Sequence, residues 1–331
     1  MIIDLEHHIS TGRAQEQGPS PSGYIVERQR VSADGRVSFD HLDSAPSVEQ
    51  SIQFMDEAGI DMAVRTSNAS GEGAREANDM MAKAVRDYPK RYIGEASIPI
   101  VGGKHDLDEV DRAINGLGLK GVHISTHTAD LYLDSREMWP FYEKVSKLNV
   151  PIDVHVDVHI SDLAFDGLRA PYALHYIMAR EFDMAASVLR VCLGGVLEDF
   201  PDLVFIMNHF GGGVSSVLDR LDLYWDLSLR PGGPDFFYKD KRLISKHWRE
   251  YFNKLNFNMA GRGVGMDTVK CALTNISPKR LMFGTDWPFN YDGEPDKARQ
   301  YIAEIRKLDL PQEDIDGMLG GNAAKVFGIQ E

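Results

Sequence analysis

Glu6, His8, His155, His209 and Asp286 are the residues of this sequence whose types and places could do metal and acid–base chemistry. Each stands at the end of a short apolar run. The first run ends Glu6-His7-His8, and the fifth carries His155 in Pro151-Ile152-Asp153-Val154-His155. The sixth leads into Asn208-His209-Phe210-Gly211-Gly212, and the eighth ends Phe283-Gly284-Thr285-Asp286-Trp287-Pro288; the fourth adds His123. In an extended strand residues i and i+2 share a face, so Glu6 and His8 would point together and His7 away. Glu6, His8, His155 and Asp286 would then make a mixed nitrogen–oxygen set for one divalent cation. Such a set suits Zn²⁺, and its two carboxylates also suit Mn²⁺, with water or substrate at the remaining positions.

Taken singly, each has an ordinary structural explanation: a strand His hydrogen-bonded in the core, a paired Glu6, or Asp286 as a turn former before Trp-Pro. Core packing does not explain their coincidence at strand ends, because unpaired buried charge is costly. His41, His105, His159, His175 and His247 fall in helices or loops and read as structural; His159 is the nearest rival to His155.

The elements that must position this set alternate along the chain. Strands are expected at Ile2–Leu5, Met62–Arg65, Tyr92–Ile98, Gly121–Ser125, Ile152–Val156, Val204–Asn208, Lys254–Asn258 and Leu281–Gly284. Runs such as Leu203-Val204-Phe205-Ile206-Met207 are apolar throughout, as when both faces of a strand are buried. Helical spacing covers Val48–Ala58, Ala74–Arg86, Leu107–Leu117, Met138–Leu148, Tyr172–Val191 and Asp296–Lys307, the first opened by a Ser47-x-x-Gln50 capping signal. Eight βα units predict an α/β fold, a closed (β/α)8 TIM-type barrel with elaborated βα loops. The rival, an open doubly wound sheet, lacks a glycine-rich turn after the first strand. Thr11–Ser44 and Arg230–Lys246 interrupt the repeat as loop insertions near 11–44 and 230–246, and 1–331 is expected to be one domain.

With 36 Lys+Arg against 50 Asp+Glu the net charge is -14, which argues against a nucleic-acid partner. Cys192 and Cys271 sit in apolar surroundings without metal or redox spacing and read as buried small hydrophobes of a reducing compartment. The first residues lack the pattern of a secretory signal, and no stretch reaches the ~18–20 apolar residues of a membrane span. A cytoplasmic protein without a membrane partner is the expectation.

The strand-one ligand-x-His8 pair, His155, His209-x-Gly-Gly and Thr285-Asp286-Trp287-Pro288-Phe289 resemble the amidohydrolase superfamily. More closely, the chain resembles the branch that holds aminocarboxymuconate-semialdehyde and γ-resorcylate decarboxylases, through to Gly321-Asn322-Ala323-Ala324-Lys325-Val326-Phe327-Gly328. Most of the superfamily starts with His-x-His; Glu6-x-His8 is the variant of the aromatic-acid decarboxylases. The resemblance implies a homodimer or dimer-based oligomer in which Arg220 reaches the neighbour's substrate carboxylate, where a guanidinium fork fits. Local sequence equally allows Arg220 to pair with Asp219 or Asp222 on the surface. One departure stands out: γ-resorcylate relatives have His-x-Gly-Glu where this chain has His209-Phe210-Gly211-Gly212.

The function implied is metal-dependent, non-oxidative decarboxylation of a hydroxylated aromatic or enolic carboxylic acid. Asp286 would protonate the ring carbon, directly or through water, and His209 would orient Asp286 or activate water. Phe289 and Trp287 would wall the ring, although core packing accounts for them equally well. The rival readings are a metal-dependent hydrolase of an ester, lactone or carbon–carbon bond, and a hydratase; they use every one of the same ligands. A barrel that binds without catalysing would be expected to have lost Asp286 or a strand-one ligand, and both are present.

Overall fold

The computed structural model describes residues 1–8, 27–31, 37–41, 46–66, 72–98, 103–128, 131–156, 175–234, 243–261 and 263–330. Eight parallel strands follow one another around a sheet in chain order: β1 (Ile3–His8), β2 (Met62–Thr66), β3 (Tyr92–Ser97), β4 (Gly121–Ser125), β5 (Ile152–His155), β6 (Phe205–Met207), β7 (Asn256–Asn258) and β8 (Leu281–Met282). Backbone bonds from Leu5 N to Phe283 O (2.9 Å), Asp286 N to Glu6 O (3.0 Å) and His8 N to Trp287 O (2.8 Å) join β1 to the segment after β8 and close the barrel. The expected (β/α)8 architecture is the one observed.

The sheet divides the apolar side chains into two clusters. Ile3, Leu5, Met62, Val64, Ile93, Ile206 and Met282 fill the barrel floor against Ala323, Ala324 and Phe327 near the C-terminus. Ala63, Tyr92, Val122, Ile124, Ile152, Val154, Phe205, Met207 and Phe257 belong to the outer layer, where the helices pack. This two-sided burial explains why the strands read as continuous apolar runs.

The strand boundaries moved by one to three residues at most, and β1 moved the furthest. It runs on through His8 because it holds a bulge: Asp4 pairs with Ala63 and His7 with Arg65, so β1 spends one residue more than β2 over this stretch. The extra residue lets Ile3 and Leu5 face the floor while Glu6 and His8 also turn inward, with Asp4 and His7 outward.

Among the helices, α1 (Val48–Ala58) has the predicted capping box: Gln50 N donates to Ser47 Oγ (3.2 Å) and Ser47 N to Gln50 Oε1 (2.9 Å). Gly59 ends it at φ 75°, where glycine carries no Cβ penalty. α2 (Glu72–Asp87), α3 (Lys104–Asp111, extended by a π-type turn Arg112–Gly116) and α4 (Trp139–Leu148) follow. After them come α5 (Arg180–Leu193), α6 (Leu218–Leu229), α7 (Met266–Leu273) and α8 (Pro295–Ile305). The helix expected over Tyr172–Val191 begins, within the described residues, with a π-type turn His175–Ala179. Residues 172–174, His159, the greater part of the first loop insertion and residues 235–242 of the second lie outside the described residues; inside the first insertion an antiparallel hairpin pairs Glu27–Val31 with Val37–His41.

Cys192 is buried as expected, but Cys271 is exposed, on the solvent side of α7, which corrects its reading as a core residue. His247 is structural: its Nδ1 accepts the Arg249 N–H (3.2 Å) at the start of a short helix. Among the described residues no helix is long and apolar enough to cross a membrane.

Candidate active site

Three imidazoles and two carboxylates meet at the C-terminal mouth of the barrel. His155 Nε2 lies 3.0 Å from Glu6 Oε1, His8 Nε2 3.3 Å and His209 Nε2 3.5 Å from the same oxygen. Asp286 Oδ1 is 3.1 Å from His8 Nε2. Ligands bonded at ~2.1 Å to one ion, ~90–110° apart, stand ~3.0–3.4 Å from each other, so these separations fit one small divalent cation. His209 Nε2 has no hydrogen-bond partner, although the residue is only 7% exposed. The donor set therefore suits a metal ion on geometry as well as on residue type.

Each side chain is aimed by an identifiable contact. His155 Nδ1 donates to Val156 O (2.8 Å), which leaves Nε2 unprotonated toward the cluster. Glu6 Oε2 accepts from Asn258 Nδ2 (2.5 Å) while Asn258 Oδ1 takes the His209 N–H (3.0 Å), so one amide sets both groups. Asp286 is held in the left-handed region at φ 59°, a strained backbone for a residue with a side chain. Behind β1, the fully buried Asp4 accepts from Thr285 N (2.8 Å), Thr285 Oγ1 (2.5 Å) and Glu6 N (3.3 Å). It also pairs with His7 Nδ1 (2.9 Å), whose Nε2 meets Ser51 Oγ of α1 (2.7 Å). Asp4 thus ties the strand bearing Glu6 and His8 to the loop bearing Asp286.

After β6 the chain passes through five consecutive left-handed residues, His209 to Gly213. A Cβ at Gly212 would stand 1.9 Å from the Glu181 carbonyl oxygen, so glycine is what lets the start of α5 press against this turn. That approach brings Glu181 Oε1 to 2.9 Å from His209 Nδ1. In this chain, whose motif reads His209-x-Gly-Gly, a carboxylate reaches His209 from another element, the start of α5.

The charges are strongly interdependent. Burial alone would raise the Glu6 carboxyl, but the facing His209 and His155 hold it well below the usual carboxylate range. Burial pushes His155 down to about 4. The same burial opposes a proton on His8, yet hydrogen bonds to Asp286 and Glu6 carry it up to about 9. His209 is likewise raised well above the ordinary imidazole value, against burial, by Glu181 and Glu6. A cation at this point would take over the neutralising role these imidazolium protons serve.

Glu6, His8, His155, His209 and Asp286 are therefore brought together. Phe289 stands at the rim, partly buried, its ring 5.1 Å from that of His8. Trp287 does not join them: it stacks on His7 at 4.4 Å and meets Phe54 behind β1, because the left-handed Asp286 sends the next side chain into the outer layer. Arg220 is exposed on α6, and neither expected partner takes it; Arg249 donates from Nε to both Asp222 oxygens (3.0 and 2.8 Å) and from Nη2 to Asp222 Oδ2, and Asp219 also approaches Arg249. His123 lies deeper in the barrel, 2.7 Å from Asp153. Asn258, Glu181 and Asp4 were missed from sequence; only Asn258, a polar residue at a strand end, carried a local signal.

Comparison with known proteins gives the family of the chain and matches its fold. A family model described as Amidohydrolase matches residues 3–329. The γ-resorcylate decarboxylase of Polaromonas sp. (strain JS666 / ATCC BAA-500) is 28% identical, over 99% of this chain and 98% of its own. The crystal structure of a 2,6-dihydroxybenzoate decarboxylase complexed with 2,6-dihydroxybenzoate superposes with a TM-score of 0.77 at 23% identity, covering 99% of this chain and 98% of that one. A dihydroxybenzoic acid decarboxylase from Polaromonas sp. JS666, with bound manganese and the inhibitor 2-nitroresorcinol, gives 0.76 at 23% identity, over 100% and 97%. Matched from its first strand to its last helix, the chain belongs to the amidohydrolase family.

Proposed function

We propose that this protein is a metal-dependent, non-oxidative decarboxylase of a hydroxylated aromatic carboxylic acid, working as one barrel domain with one catalytic Mn²⁺ or Zn²⁺ held by Glu6, His8, His155 and Asp286. The observation that carries this reading is the convergence of those four side chains, with His209, at cation-ligand spacing. Kinship with decarboxylases along nearly the whole chain narrows the reaction class. When bound, the ion supplies Lewis acidity that steadies negative charge on the substrate's carboxylate and adjacent oxygen.

The chain's own groups do the rest. Asp286 relays a proton, directly or through water, to the ring carbon that bears the carboxylate, which interrupts the ring's conjugation. The bond to the carboxylate then breaks, its electron pair restores the aromatic ring, and CO₂ leaves; Asp286 regains a proton from water. His209, anchored at Nδ1 by Glu181, keeps Nε2 directed at the reacting centre and orients Asp286 or the water beside it. Phe289 supports the ring from the rim.

Arg220 belongs to the same proposal through a second copy of the chain. It lies among exposed apolar residues, Val217, Leu223 and Tyr224, on a helix face suited to self-association. In a homodimer it would reach the partner's substrate carboxylate as a bidentate guanidinium.

The test is CO₂ release from a panel of ortho-hydroxybenzoates by the manganese-loaded protein, beside ester, lactone and enolic-acid screens. Release from at least one hydroxybenzoate is expected. Hydrolysis or hydration with no CO₂ from any acid would replace this reading with a hydrolase or hydratase.

A further inference from the structure

A second group of ionisable side chains lies inside the barrel, below the mouth. Glu95 on β3, His123 on β4 and Asp153 on β5 are 1%, 3% and 1% exposed. They offer ligand atoms that all lie within 4.8 Å of one another, and they share no residue with the mouth cluster. His123 Nδ1 is 2.7 Å from Asp153 Oδ2 and 3.9 Å from Glu95 Oε2. Glu95 faces Asp153, and Asn208 lies beside Asp153, yet neither Glu95 oxygen nor Asp153 Oδ1 makes a hydrogen bond of good geometry. The sequence makes room for the Glu95 carboxylate: a Cβ at Gly121 would stand 2.9 Å from its Oε1.

Two carboxylates buried in the barrel interior, with one imidazole beside them, are short of positive charge. Among the described residues no lysine or arginine comes within ion-pair range of either. Glu6 adds to the repulsion that both feel from above. Buried carboxylates in that position need a counter-charge with good geometry. The two measured separations bracket the ~3.0–3.4 Å spacing of ligands around one ion at ~2.1 Å. Two carboxylates and one imidazole nitrogen suit Mn²⁺, and Zn²⁺ after it.

We infer that Glu95, His123 and Asp153 form a second divalent-cation site, separate from the mouth cluster and binding β3, β4 and β5 together from inside the barrel. The ring of His123 is 5.6 Å from that of His155, so this ion would sit directly beneath the first. A proton on Glu95 is the competing occupant, since burial and the neighbouring Asp153 push that carboxyl well above its usual range.

The test counts ions per chain in manganese-loaded protein by elemental analysis and locates them by anomalous diffraction at the manganese edge. Two ions are expected in the wild type, with one anomalous peak among Glu95, His123 and Asp153. Glu95→Gln should remove that peak, leave the mouth peak and lower the count to one. A wild-type map with a mouth peak alone would overturn the inference, and because it needs no variant, a misfolded Glu95→Gln protein would not obscure it. A peak at the lower site with none at the mouth would uphold this inference while removing the proposed catalytic reading.

Discussion

Glu181 supplies what Gly212 cannot. A carboxylate bonded to His209 Nδ1 fixes which nitrogen faces the mouth cluster, and here it arrives from α5, 28 residues earlier in the chain. Glu181→Gln is expected to lower kcat by about 10–100-fold with KM little changed, and Glu181→Asp to recover part of the loss. Steady-state kinetics of the two variants check this; equal losses in both, confined to KM, would assign Glu181 to substrate binding instead. Asp286→Asn should keep the wild-type melting temperature within a few degrees yet reduce kcat at least about 100-fold, the scale of a lost acid–base group. Near-normal turnover would remove Asp286 from the chemistry. The convergence of Glu6, His8, His155 and Asp286 was legible because residue type and strand-end position are local properties. Glu181 was not, because its role depends on how closely α5 packs on a turn. Trp287, which sequence left open between ring wall and core, packs in the core, where it follows the left-handed backbone at Asp286.

The elements hold these groups through polar contacts that bridge strand ends and helices. Asn78 of α2 accepts the Ser97 N–H (2.7 Å) and donates to Ser97 O (3.1 Å) at the end of β3. Its Nδ2 also reaches Glu109 of α3 (2.8 Å), which pairs with Arg112 through two contacts of 2.8 Å. Burial would raise the Glu109 carboxyl, but Arg112 and Asn78 hold it below its usual value. A carboxylate lowered by folding contributes stability above its unfolded pKa of ~4.3, and that contribution falls away as pH drops through the folded value. Glu109→Gln should therefore cost about 1–3 kcal/mol at pH 7 and progressively less below pH ~4. Urea unfolding of both proteins at the two pH values measures it, and a penalty independent of pH would contradict the charge-based origin. The capping box of α1 and the central residues of every strand could be read directly, since both follow from short-range pattern. The bulge in β1 could not: it exists only in the register between Asp4 and His7 and their partners on β2. Without it, Glu6 and His8 would lie on the opposite face from Ile3 and Leu5.

At the scale of the whole molecule, the alternation of strands and helices foretold eight units, and closure between β1 and the segment after β8 completes them. Closure also brings together Glu6 and Asp286, which sequence places at opposite ends of the chain. What lies beyond the single chain was not legible, because an exposed helix face does not name its partner. The shared-site proposal predicts that Arg220→Ala and Asp286→Asn proteins, each inactive alone, regain activity when mixed, to about a quarter of the wild-type rate if subunits exchange at random and one of each dimer's two sites is rebuilt. Mixed dimers verified by mass and still inactive would place Arg220 outside the site. The most direct measurement of the central claim follows an ortho-hydroxybenzoate labelled with carbon-13 in its carboxyl group, in D₂O, before and after chelation of the metal. The account predicts labelled CO₂ and one deuterium at the carbon that carried the carboxylate, both lost on chelation and restored by Mn²⁺. Labelled CO₂ released at an unchanged rate by the metal-free protein would contradict it.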